Sequence, residues 1–226
     1  MVGGGIPFVL YFTGLSMIPA VSAAFIHKTL FLWVALLAIP FLGERVGWLQ
    51  AFALGLLLLA VMSFQFPAFE AFGTGEMLVF LATLLWAVEN IVAKKVLSRI
   101  SSLSAATARM SVGSVVIFGF VLFGGSVEAI VSLPFAAWGW VLLTGLLLTG
   151  FVSLWYRALS LAPATFVATL LVPATFITGV LSSVFVTGTV SLLQVFGWIS
   201  VLLGIGLFVR GMLPTRRFEP TLARSN

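Results

Sequence analysis

The chain has 226 residues, of which 62% are hydrophobic and 8% charged, against about 45–50% and 25% in soluble domains. Its formal charge is +5, yet the basic residues stand singly at the ends of apolar blocks, so nothing resembles a phosphate-binding cluster and nucleic acid is excluded as a partner. There is no cysteine, no aspartate and one histidine, which removes disulfides and thiolate metal sites and leaves neither an enzyme nor a bound cofactor supported.

The apolar residues fall in blocks of about 18–25, the length that crosses a hydrocarbon layer of about 30 Å. Between Gly, Pro, Ser and charged breaks they predict eight helices, at 3–18, 20–42, 47–67, 75–96, 103–124, 135–159, 162–187 and 191–212. The chain is therefore expected to be an all-α, polytopic membrane helix bundle. Met1–Ala24 ends on Val21-Ser22-Ala23, a small-residue pattern resembling a signal-peptide cleavage site. It has no basic start and is taken as a retained helix.

In the second segment, "AAFIHKTLFLWVALLAIPFLGE" places His27 and Lys28 about eight residues deep, or roughly 12 Å by helical rise. An ionised group at a helix centre costs at least about 2.5–3.5 kcal/mol, so such residues are functional candidates by default. A cavity-facing role stands beside the plainer reading, a snorkelling Lys28 and a structural hydrogen bond. Adjacent residues point about 100° apart, so only one of the two is expected to face a narrow cavity.

In the fourth segment, Thr83, Trp86, Asn90 and Lys94 recur at helical spacing and form one polar stripe with Glu89 at its edge. The stripe reads as a cavity wall, or else as a helix seam held by Asn90. Glu89, the one acidic residue deep in a span, is the expected partner of His27 or Lys28. It lies roughly 7–10 Å deeper than Lys28 by helical rise, so the pair is expected to be bridged by water or substrate, a direct one needing extended side chains. Lys94 and Lys95 mark an interface. Arg109 lies about one and a half turns into the fifth segment and reads either as a binder of an anionic group or as a snorkelling residue. In the sixth segment, Arg157 reads as an interface anchor beside Trp155, with Tyr156 as a cavity candidate. Pro173 in "LLVPATF" interrupts helical hydrogen bonding near mid-span, which either exposes a carbonyl or kinks the helix. Ser200 and Gly204, four apart, suit close helix packing. The tail from Leu213 to Asn226 is polar and expected to be disordered.

Charge sets the orientation. Arg45, Lys94, Lys95, Arg99, Arg157, Arg210, Arg216 and Arg217 fall on one side of this eight-helix scheme, and Glu70, Glu76 and Glu128 on the other. Basic residues stay cytoplasmic, so both termini are expected in the cytoplasm. Trp48, Trp138, Trp140 and Trp155 fall near the expected interfaces.

Shifting the chain by 144 positions brings "LSMIPAVSAA" onto "LSLAPATFVA" and "VGWLQAF" onto "VSLLQVF". By this topology the two copies are inverted, a recurring architecture of secondary transporters. "FLGERVGWLQAFALGLLLLAV" resembles the end of an EamA repeat, the module of the drug/metabolite transporter superfamily. "LLWAVENIVAKKVL" resembles the start of one, and "WYRALSLAPATFVATLLVPATF" its third and fourth helices.

The resemblance implies a ten-helix, two-repeat carrier of small metabolites in the inner (plasma) membrane, here without counterparts of the first two helices and part of the third. It divides the chain into the end of a first repeat (1–68), a second repeat (74–212) and a cytoplasmic tail (213–226). The expected partners are a small-molecule substrate, with proton coupling left open, and the lipid bilayer, together with a homodimer that would cover the gap. The alternative is a truncated, non-transporting fragment or interaction subunit. The candidate substrate cavity comprises His27, Lys28, Trp86, Glu89, Asn90, Arg109, Tyr156 and Pro173. Gly188 stands where the first copy has Glu44, a residue expected to lie solvated at the interface.

Overall fold

In lipid a backbone satisfies its own N–H and C=O groups only as a helix or a closed barrel, and uninterrupted apolar runs of this length choose the helix. The computed structural model describes residues 4–64, 72–124 and 127–213. Glu70 and the tail beyond Leu213 lie outside them.

The described elements are α1 Ile6–Leu15, α2 Ala20–Lys28, α3 Leu30–Leu42, α4 Trp48–Phe64, α5 Thr74–Val96, α6 Ser102–Phe123, α7 Val127–Val131, α8 Phe135–Leu161, α9 Ala164–Thr169, α10 Leu171–Ser182 and α11 Leu192–Met212. A π-helical turn, Ser183–Thr187, extends α10. Taking α2 with α3 and α9 with α10, six helical segments are long and apolar enough to cross a membrane, while α1 and α4 are shorter apolar helices. Each predicted segment holds a helix, and α7 is an addition.

Two predicted segments are each broken once. Pro173 has no N–H for the carbonyl four residues back, and its ring crowds that carbonyl; α9 accordingly ends at Thr169, with Leu170 at the break. The other break, at Thr29, has no proline. There the Thr29 N–H is shared between Phe25 O and Ile26 O, and the hydroxyl donates back to Ile26 O at 2.7 Å. Such back-bonding bends helices.

Glycines set the closest approaches. A Cβ on Gly113 of α6 would stand 2.5 Å from the carbonyl oxygen of Gly4, and one on Gly204 of α11 would stand 2.9 Å from Leu57 of α4. Ser200 is buried on the same face of α11, so the Ser200–Gly204 pair sits at the α4 contact.

Packing is uneven along the bundle. The buried residues of α8 are Val152, Tyr156 and Leu159, all in its last ten residues. Those of α6 are Ala105, Ala106 and Gly113, none of them in its last ten residues. Both stretches lie at the end of the bundle that holds Lys94, and the opposite halves of α6 and α8 are largely exposed.

Candidate functional site: a polar cluster beside an aromatic hollow

A hollow of about 260 Å³ lies among α1, α2, α5, α6 and α8. Its walls are mostly aromatic. Trp86 of α5 meets His27 at 4.8 Å between ring centroids, Phe8 at 5.3 Å and Tyr11 at 5.6 Å. Such tilted and edge-on contacts are the geometry that aromatic quadrupoles favour.

The polar side of the hollow is built on Glu89. Arg109, twenty residues on, donates from Nε to Glu89 Oε1 and from Nη2 to Oε2, the latter at 3.3 Å. Tyr156 Oη donates to Glu89 Oε1 at 2.7 Å. Both members of the ion pair are 13% exposed, and the Arg109 guanidinium lies 6.0 Å from the Phe8 ring centroid. Two opposite charges held bidentately and largely shielded from water stabilise one another only because the hydrogen bonds are made.

Asn90 is satisfied on both sides. Its amide donates to Trp86 O at 2.8 Å, and its oxygen accepts from Trp155 Nε1 at 2.9 Å. It therefore holds α5 to α8 while also lining the hollow. His27 Nδ1 is buried with no hydrogen-bond partner among the described residues.

Of the eight residues singled out from the sequence, His27, Trp86, Glu89, Asn90, Arg109 and Tyr156 line this hollow, while Lys28 and Pro173 do not. Glu89 pairs with Arg109 and Tyr156, not with His27 or Lys28. Depth along a helix did not reveal these direct partners because it says nothing of the direction in which a side chain points, while His27 and Glu89 share the lining of the hollow. Trp155, expected at an interface, is in the wall. The residues missed were chiefly Phe8, Tyr11 and Phe151. Phe8 and Tyr11 share one helical face, but that pattern also describes any lipid-facing surface. A second hollow, about 400 Å³, adjoins the other side of the same ion pair and is lined by Val88, Val92 and Val112.

Glu44 also departs from expectation. It accepts hydrogen bonds from the backbone N–H groups of Ala164 at 2.5 Å and Thr165 at 3.0 Å, capping the start of α9. At the same turn Lys94 Nζ donates to Leu159 O at 2.6 Å and Ala162 O at 2.8 Å, capping the end of α8. Among the described residues no cluster of His, Cys, Asp and Glu could hold a metal ion.

The comparisons agree with this architecture. A crystal structure of another protein superposes with a TM-score of 0.75 at 15% sequence identity, over 92% of this chain and 74% of its own, which is a likeness of fold. No curated protein matches. The sequence pattern of the EamA-like transporter family matches residues 1–64 and 73–210, nearly the whole chain. The chain belongs to the EamA-like transporter family.

Proposed function

We propose that the chain is a secondary carrier that moves a small metabolite with an apolar body and a polar head across the inner membrane, binding it in the hollow between α1, α2, α5, α6 and α8. The observation that carries this reading is the Glu89–Arg109–Tyr156 cluster at the wall of an aromatic hollow deep among the helices. A buried ion pair is costly to build where apolar packing would serve, and ionisable groups inside a span mark substrate or ion pathways. The aromatic walls hold the apolar body, and the cluster holds the head. Transport proceeds by alternating access between two inverted halves, 1–68 and 74–212. The matched caps support that division: Gly47 N–H donates to Gln50 Oε1 at 2.9 Å, and Ser191 N–H to Gln194 Oε1 at 2.8 Å.

The test is uptake in proteoliposomes against a panel of labelled metabolites, with Glu89→Gln and Tyr156→Phe as variants. A substrate whose uptake falls at least about tenfold in Glu89→Gln, with insertion intact, supports the site. Uptake at the unsubstituted rate in both variants moves the site elsewhere. No uptake of any compound favours an interaction subunit.

A further inference from the structure

The bundle is closed at one end by a turn that two charged side chains grip from outside it. The chain leaves α8 at Leu161, passes extended through Ala162, and enters α9 after Pro163. A helix end leaves carbonyls without partners and a helix start leaves N–H groups without partners. Lys94, from α5, supplies donors to the first set, and Glu44, following α3, supplies acceptors to the second. Each charge also meets the end of the helix dipole that favours it.

This turn lies directly beneath the hollow. Lys94 is one helical turn past Asn90, and the Leu159 carbonyl lies three residues past Tyr156. On the two sides of this turn Leu159 of α8 and Val167 and Ala168 of α9 are at most 1% exposed. Asn90 of the hollow and Lys94 at the turn are about one helical turn, roughly 5 Å, apart along α5. Opening a path through this end means moving the α8–α9 turn off α3 and α5, which breaks the hydrogen bonds of both side chains. Charged groups at a bundle end exchange such bonds for water, so the contact is reversible in a way that deeper packing is not.

The opposite end is built differently. The segment that the 144-residue shift matches to Glu44, Val186–Val190, contains no acidic residue. There α6 and α8 are thinly packed, as described above.

We propose that Glu44 and Lys94 form a latch on the α8–α9 turn that holds this end of the carrier shut, and that their release is what admits the hollow to that side of the membrane. The proposal rests on the hollow being the carrier's binding site, but its test needs no substrate and so fails independently of the transport assay. The chain has no cysteine, so a single Leu148→Cys in the wall of the hollow can be labelled with a membrane-impermeant maleimide in vesicles of each orientation. Ser98→Cys and Thr74→Cys, each in a separate protein, identify which side carries the latch end.

Without a latch substitution, Leu148→Cys is expected to react from the Thr74 side. Adding Glu44→Ala or Lys94→Met is expected to raise its reaction rate from the Ser98 side about tenfold or more, the factor set by losing hydrogen bonds to a charged group. The rate from the Thr74 side should not rise, and Glu44→Asp should restore part of the difference. Unchanged rates from the Ser98 side overturn the latch. Equal increases from both sides also overturn it, because they report loosening of the whole bundle.

Discussion

At the residue scale the ion pair is the most consequential feature. Arg109→Met leaves the Glu89 carboxylate buried with only Tyr156 as a donor, and breaking one side of a buried pair typically costs about 3–5 kcal/mol. Unfolding of the purified protein in mixed micelles should show a loss of that order. Arg109→Met combined with Glu89→Gln should recover much of it, because neither charge is then stranded. Losses that simply add in the double variant would mean that the two side chains contribute independently. That Glu89 matters was legible from its depth in an apolar helix. Its partner was not, because the rotation of α5 against α6 decides the pairing and the sequence of either helix leaves it open. The same rotation explains His27 and Lys28: their 100° separation predicts that one faces the hollow, and only the fold says that it is His27.

At the element scale the spans were legible because their length and apolarity answer a requirement of the bilayer itself. The breaks were less so. Pro173 announces the one at Leu170, once the missing bond is counted four residues back. Thr29 announces nothing, since a lone threonine in an apolar run usually continues the helix. The close glycine contacts give a sharp test. Gly113→Ala drives a methyl group against the backbone of Gly4, which cannot turn aside as a side chain can. Overpacking of this kind costs about 1–3 kcal/mol. Gly119→Ala, on the same helix, meets nothing within 4 Å and should match or slightly exceed the parent in a thermal melt, because alanine is the better helix former. Equal behaviour of the two variants would mean that the chain entering α1 at Gly4 does not press on α6 at that point.

At the scale of the whole molecule, one end of the bundle collects Glu44, Lys94 and the α8–α9 turn, with Lys95 set 5.8 Å from the Phe41 ring centroid. If this is the cytoplasmic end, as the distribution of basic residues argues, reporter fusions after Arg99 and at Asn226 should signal cytoplasm. A fusion near Glu128 should signal the outside. Matching signals from Arg99 and Glu128 would refute the single crossing by α6 between them, and with it the eight-helix scheme. The alternation of charges between ends was readable from the sequence because it follows from insertion. The roles of Glu44 and Lys94 were not, because both look like ordinary boundary residues until a third segment, more than sixty positions away from either, is brought between them.

The π-helical turn Ser183–Thr187 carries a consequence for register. The two left-handed glycines that end the paired spans, Gly43 at φ 68° and Gly188 at φ 64°, lie 145 positions apart, whereas the glutamine caps that follow them, Gln50 and Gln194, lie 144 apart. The later span thus reaches its glycine one residue further on and the loop after it is one residue shorter, and the π-helical turn, which takes an extra residue into its ring, accommodates the difference. A plain alignment of the halves therefore sets Glu44 against Gly188, while the backbone sets Gly43 there. A glutamate written into Gly188 would inherit a left-handed backbone that costs an L-residue about 1–2 kcal/mol.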